Sequence, residues 1–404
     1  MLVNRVEQHQ INKNHPMFKV IDEFCFKSKN LYNCANYIIR QEFINNHNYI
    51  KYRAMDVMLQ PTKEYKALMS QASQCLLQVL DRSWKSFFVA IKDWSQYPEK
   101  YLGKPKIPKY KKKEGRFTWF LKNNQTYIKA GQLSFRLKIF NGYKFKTNAQ
   151  GRLISVRFVP KGSIYVMEIV TEIDVSESIS EVQNICSIDL GINNFVTMVN
   201  NIGLQPIIIN GKGLKSINQY YNKKKAKLQS ELQIRHKQHW SKKLNNLTLK
   251  RGNKIKNIIH HTSHYIMEYC SEHNIDTLVV GLNKTWKQEC SLGDKTTQNF
   301  TYIPYDMLIK QLEYKCQDNG VQLIMTDESY TSGTSFIDNE RPIKENYDKS
   351  RRIQRGLFKS NSDQLINSDV NGAFQIMKKV FPNAFADGIK GCLTPVIINV
   401  VKTA

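Results

Sequence analysis

The chain has 404 residues, a length suited to two or three domains. At 41% hydrophobic and 11% aromatic it can build sizeable cores, which excludes a wholly disordered protein. Its 60 Lys and Arg against 34 Asp and Glu give a formal charge of +26, and such self-repulsion makes a polyanion the first expected partner.

In chain order, residues 15–98 read as helical. Leu31, Cys34, Ala35 and Ile38 recur at helical spacing. Tyr65, Leu68, Ala72, Leu76 and Val79 continue the pattern, and Leu80, Trp84, Phe87 and Ile91 line a further stripe. The segment Gly103-Lys-Pro-Lys-Ile-Pro108 then ends helices and opens extended chain. Five short β runs follow: Thr118–Leu121, Thr126–Ile128, Leu133–Ile139, Leu153–Phe158 and Ile164–Thr171. Turn residues separate them, and together they predict a small β-barrel.

Residues 174–181 (DVSESISE) form a polar linker. Beyond it Ile185–Leu190, Phe195–Asn200 and Pro206–Ile209 read as strands. Two long helices follow, the first with Leu214, Ile217, Tyr221, Leu228 and Leu232 on one face. The second carries Leu244, Leu247, Ile255, Ile258 and Tyr265. Strand Thr277–Val280, helix Pro304–Asp318, strand Val321–Met325 and a helix from about Asp369 to Val380 complete the order. The succession β-β-β-α-β-α-β-α predicts a ribonuclease H-like domain.

Charge is concentrated in two stripes. Lys100 to Lys161 holds 17 basic residues and one acid, Glu114; Lys212 to Lys256 holds 14 and one acid, Glu231. The remainder is near neutral, so nucleic acid is a better partner than a generally lysine-rich surface would imply. On the barrel, Lys and Arg alternate with Phe, Tyr and Trp, a pattern suited to phosphates and stacked bases.

No apolar run approaches the roughly 18 residues that span a bilayer, and the N-terminus lacks a secretory h-region. No membrane association is expected. The eight cysteines form no CxxC pair and read as reduced thiols. His260/His264 and His236/His239 approach ligand spacing without an acid or Cys cluster, and read as surface or RNA-facing histidines.

In this topology a carboxylate on the first strand meets the fourth strand and the start of the last helix. Carboxylates gathered there suit a pair of Mg2+ ions for phosphodiester hydrolysis. Asp189 lies within an apolar strand, where an unpaired Asp is costly. Asp369 opens the last helix, where a plain N-cap is the bland alternative. The fourth strand ends in Gly281 where a third acid is expected. Glu328, after the fifth strand, could reach across this side-chain-free position. Glu289 is the less favoured substitute, and Asp327 should point the other way.

The segments S187-I-D-L-G-I-N-N194, G281-L-N-K-T-W-K-Q288, E328-S-Y-T-S332 and N367-S-D-V-N-G-A373 resemble the TnpB (OrfB) proteins of bacterial insertion sequences, presumed ancestors of type V CRISPR effectors. I209-N-G-K-G-L-K-S216 and R355-G-L-F-K-S360 match the same subgroup. The likeness is strong over about 180–400 and looser before. It implies an α/β multidomain protein with a helical recognition lobe, an OB-like β-barrel wedge domain and an RNase H-like RuvC nuclease domain. By this likeness residues 1–14 are a first wedge segment, 15–99 the lobe, 100–180 the wedge barrel and 181–404 the RuvC domain. A degenerate zinc-finger-like insertion would occupy about 331–366, where T331-S-G-T-S-F has no Cys, so no structural zinc is expected.

The resemblance implies a transposon-encoded, RNA-guided, Mg2+-dependent DNA endonuclease. Its guide RNA derives from the transposon end, and duplex DNA is unwound to an R-loop beside a short motif. Asp189 and Asp369 match the family's first and last RuvC aspartates, and Glu328 matches a relocated glutamate. Expected backbone contacts are Lys104, Lys106, Lys109, Lys111, Lys112, Lys113 and Arg116 in the first stripe. In the second they are Lys212, Lys215, Lys223, Lys224 and Lys225, with Arg351, Arg352 and Arg355 near the cut strand. A cytoplasmic, nucleoid-associated monomer is expected. The rivals are a nuclease-dead guided repressor, a compact type V CRISPR effector and a guide-free single-strand binder.

Overall fold

The computed structural model describes residues 1–175, 182–282, 302–354, 356–386, 388 and 391–400. The chain divides into two compact units, Met1–Asp174 and Val175–Ala404.

The first unit opens with β1 (Leu2–Ile11), which runs antiparallel to β7 (Ile164–Asp174) over its whole length. Helices α1 (Phe18–Asn46), α2 (Tyr52–Leu59), α3 (Lys63–Lys66) and α4 (Ser70–Gln96) follow. Strands β2 (Trp119–Lys122), β3 (Thr126–Lys129), β4 (Gln132–Phe135), β5 (Phe145–Lys146) and β6 (Arg152–Lys161) precede β7. They form two sheets, ordered β1-β7-β6-β2 and β3-β4-β5. The run expected as a strand to Ile139 ends at Phe135, because the chain turns at Lys138–Phe140 to bury Phe140 against Phe135, 3.8 Å between ring centroids. Trp119 anchors the shared core, stacking on Phe24 at 4.4 Å and Phe158 at 5.2 Å.

The basic segment around 104–113 is an extended strap laid along α1. Side chains of α1 hold its carbonyls. Asn36 Nδ2 and Arg40 Nη1 donate to Pro108 O at 3.0 and 2.9 Å, and Lys29 Nζ donates to Lys113 O at 2.7 Å. Asn33 makes a two-way bond with the backbone of Lys111, at 2.9 and 2.8 Å. With the backbone occupied, Lys104, Lys106, Lys109, Lys112 and Lys113 are exposed, while Lys111 lies over the Tyr32 and Phe117 rings.

Arg116 is differently employed. Its Nε and Nη2 donate to the two Asp22 oxygens at 2.9 and 2.8 Å, and Tyr165 OH donates to Oδ1. The guanidinium hydrogen bonds hold Asp22 below the usual carboxylate range. Arg116→Ala should therefore destabilise this unit by about 2 kcal/mol, read by urea denaturation at pH 7. Below the folded pKa of Asp22 the loss should shrink, because protonation breaks the pair in the wild type too.

The second unit carries a six-stranded sheet in the order β12-β11-β8-β9-β10-β15. Its strands are β8 (Ile185–Leu190), β9 (Asn194–Asn200), β10 (Ile207–Asn210), β11 (Thr277–Gly281), β12 (Gln322–Thr326) and β15 (Val396–Ile398). The first three pair antiparallel; β11 and β12 add in parallel on the other side of β8. This is the ribonuclease H-like order, extended by β15 parallel to β10.

Helices α5 (Lys212–His236), α6 (Lys242–Glu272) and α7 (Tyr305–Asn319) belong to this unit, with α8 (Ser368–Val380). Strand alternation sorts them. Cys186, Ile188 and Leu190 of β8 enter one core with Leu214, Ile255 and Leu308 of α5, α6 and α7. Ile185 enters a second core with Val370, Ala373 and Phe374 of α8. A hairpin of β13 (Leu357–Lys359) and β14 (Leu365–Asn367) leads directly into α8. Among the described residues no helix is long and apolar enough to cross a membrane.

Candidate active site

Asp189 stands one residue past Ile188, which pairs with Val280, so it lies beside Gly281. Alternation along β8 puts it on the α8 face, as Ser187 Oγ, two residues back, donates to Ala373 O at 2.6 Å. Asp189 keeps some accessible surface, yet protein atoms enclose its carboxyl. Burial raises its pKa well above the usual carboxylate value, and the negative fields of Asp369 and Glu328 add to the rise.

Asp369 lies in the first turn of α8, and the cap is supplied by its neighbour. Asn367 Oδ1 accepts from the backbone N–H of Asp369 and Val370 at 2.9 and 3.2 Å. The Asp369 carboxylate is thereby released from capping. Asn194 Nδ2 donates to its Oδ2 at 2.6 Å, and Arg352 Nη2 lies 3.8 Å from Oδ1.

Glu328 approaches from the end of β12. Gly281 pairs with Thr326, and a β-carbon built at Gly281 would lie 3.3 Å from Glu328 Oε2 and 2.5 Å from Ile376 Cδ1. The space a side chain would fill on the fourth strand is thus shared by Glu328 and α8. Burial, and then the neighbouring Asp327, push the Glu328 pKa up to about 7, against the pull of Lys379. Asp327 turns away to pair with Lys379 at 3.1 Å.

Gly372 makes a second close approach. A β-carbon there would sit 3.1 Å from Asp189 Oδ2. Gly372→Ala should therefore crowd this carboxylate, lowering cleavage at least tenfold while the thermal midpoint stays near wild type. Single-turnover kinetics with differential scanning fluorimetry would check both.

Three carboxylates thus converge with oxygen donors only, a set suited to hard divalent cations such as Mg2+. Among the described residues no group of three or more His, Cys, Asp or Glu side chains is placed to hold a metal ion as it stands. The acids converge as an open cluster, with Arg352 as a nearby positive charge. Asn194 and Gly372 escaped the reading of the sequence. Asn194 opens β9 just after the Gly191–Asn193 loop, where Asn is ordinary; a glycine inside a helix was the available signal for Gly372.

Arg351 lies elsewhere than expected for a strand contact. Its Nη1 donates to both Glu340 oxygens at 2.8 and 2.7 Å. Glu340 also accepts from Ser335 N and Asn361 Nδ2, so the pair ties 335–340 to the β13–β14 hairpin. Lys212, Lys223 and Lys224 are exposed on α5, and Lys215 and Lys225 are half-buried. Glu289 and Arg355 lie outside the described residues.

The sheet order defines an RNase H-like domain. The family OrfB_IS605, described as a probable transposase, matches residues 168–287. A Cas12f1-like TNB domain matches residues 305–376. The resemblance to the TnpB (OrfB) family carried by the motifs is borne out. No curated protein sequence matches. Among solved structures, a Cas12f1–sgRNA–target DNA complex is 13% identical over 92% of this chain and 98% of that one, with a TM-score of 0.37. The mini-RNA-guided endonuclease CRISPR-Cas-phi3 is 9% identical over 96% and 94%, with a TM-score of 0.49. At such scores the fold assignment rests on the sheet order itself.

Proposed function

We propose that the chain is a transposon-encoded RNA-guided DNA endonuclease. It would bind a guide RNA derived from the transposon end, recognise a short motif beside its target and open the duplex to an R-loop. The observation that carries the nuclease step is that Asp369 and Glu328 both bear on the enclosed Asp189, with Glu328 reaching in at Gly281. The likeness to OrfB and the two basic stripes support the guided mode. Residues 15–99 would serve as recognition lobe and 100–180, with the first strand, as wedge.

Asp189, Glu328 and Asp369 would hold two Mg2+ ions, which when bound supply an activated water and stabilise the leaving oxygen. Asn194 fixes one oxygen of Asp369, and Arg352 faces the other. Gly372 admits the Asp189 carboxyl against α8. Arg352 brings positive charge to the edge where a scissile phosphate would enter. The exposed strap lysines would neutralise backbone phosphates, while base pairing selects sequence.

Copurification with RNA tests the reading, followed by a matched duplex with randomised flanks, in Mg2+ and in EDTA. Cleavage in Mg2+ alone is the expected result. Guided binding without cleavage would favour the repressor reading, for which Gly281 at the usual acid position is the specific observation.

A further inference from the structure

Helices α5 and α6 enclose a groove of about 900 Å³. Its walls carry Lys224, Lys227, Lys243, Lys250, Arg251 and Lys254, against one acid, Glu231. Tyr220 stands at its rim with 60% of its surface exposed. Arg251 is fixed in the floor: Nε donates to the buried Asn218 Oδ1 at 2.8 Å and Nη2 to Tyr302 O at 3.1 Å. Its guanidinium lies over the Tyr221 ring at 4.9 Å and the Tyr302 ring at 5.0 Å. Tyr221 is held in turn by Thr248, 3.1 Å from its hydroxyl.

The groove therefore combines a held cation, flexible lysines on both walls and an exposed aromatic face. Helix packing accounts for Arg251, which ties α6 to α5, but not for the lysines, which repel one another, nor for the exposed Tyr220, whose ring has Lys224 Nζ at 5.8 Å. A phosphodiester chain with an unpaired base meets all three demands. Phosphates neutralise the lysines, and a base stacks on Tyr220.

We infer that the α5–α6 groove binds a single-stranded segment of the guide RNA, with a base on Tyr220 and phosphates along Lys224, Lys250 and Lys254. RNA is favoured over the cut DNA strand by placement. The groove belongs to the α5–α6 side of the sheet, whereas the acids lie on the α8 side, so a strand seated in it is not presented to the acids there. The inference rests on the RNA-guided reading and adds a site to it. Of the three adjacent lysines 223–225, only Lys224 lines the groove.

The test uses the full chain with the RNA that copurifies with it, and single-stranded DNA of equal length as control. Ultraviolet cross-linking with mass spectrometry should find RNA on a peptide containing Tyr220. Tyr220→Ala should weaken RNA binding roughly tenfold, and Tyr220→Phe should keep wild-type affinity. Lys250→Ala with Lys254→Ala should flatten the log–log salt dependence by about 1.4, from two single-strand phosphate contacts. Circular dichroism guards against misfolding.

Affinity within twofold of wild type in Tyr220→Ala, or cross-links on the groove from DNA only, overturns the inference. Guided cleavage that persists in those same experiments leaves the guided reading standing, so the two fail separately. A chain that retains no RNA at all overturns both.

Discussion

Glu328→Gln should abolish Mg2+-dependent cleavage and, in EDTA at pH 8, raise the thermal midpoint of the protein. Both effects come from one carboxyl. Burial lifts its pKa from 4.5 to about 7. Below about pH 4.5 the group is protonated in folded and unfolded chains alike, and the variant gains nothing. As pH rises toward 7 the unfolded chain releases its proton first, so the folded state loses stability. Above 7 the penalty levels off at about 3 kcal/mol, an upper figure for a half-buried group. At about 2–4 °C per kcal/mol this is a large shift for a domain of this size. Asp189 contributes in the same sense, its pKa being raised by burial and by the other two acids.

Mg2+ should reverse the order. It should stabilise the wild type at pH 8 and leave Glu328→Gln unmoved, while cleavage in the variant falls on the order of a thousandfold. Calorimetry at pH 4.5 and 8, with and without Mg2+, reads all four cases. A variant that cuts normally removes Glu328 from the site and returns the third ligand to Glu289.

Arg351→Ala should act first on folding. The guanidinium and Glu340 are 17% and 15% exposed, and Glu340 also accepts from the backbone of Ser335. Removing the arginine strands a carboxylate that still organises the segment before α8. The expected loss is about 2–4 kcal/mol, with amide exchange accelerated across 331–366. A contact to DNA alone would instead leave exchange in the free protein unchanged. Replacing Arg351 and Glu340 together by Met and Gln should recover part of the loss, because the stranded charge is then gone.

The central sheet was legible because its strands are buried on both faces and read as apolar runs, as in Ile185–Leu190 and Phe195–Asn200. Strand β1 was not legible from its pattern. Its Leu2 and Val6 are 65% and 45% exposed while Arg5, Glu7 and His9 are half-buried, so the usual alternation is inverted. Tertiary pairing with β7, from Leu2 with Asp174 to Ile11 with Tyr165, makes that strand. Strands β13, β14 and β15 have three residues each, too few for any periodicity.

At the candidate site, Asp189 announced itself by its apolar strand, whereas Asp369 reads locally as a plain N-cap and is singled out only through Asp189 and the topology. Glu328 could be nominated, ahead of Glu289, because Gly281 left a vacancy within reach of the neighbouring fifth strand. The partners that orient these acids gave less signal. Asn194 lies 175 positions from Asp369, and the bond between them exists only once β9 and α8 are packed.

The strap on α1 has a thermodynamic consequence. Its carbonyls are already bonded to Lys29, Asn33, Asn36 and Arg40, so its lysines share a backbone whose ordering entropy is spent during folding. A flexible lysine-rich loop must surrender that entropy when it meets a polyanion, and its affinity falls accordingly. Here the charge array is preorganised, and only side-chain rotamers remain to be fixed on contact. On the guided reading, the same net charge would meet a nucleic-acid backbone as a surface of defined shape.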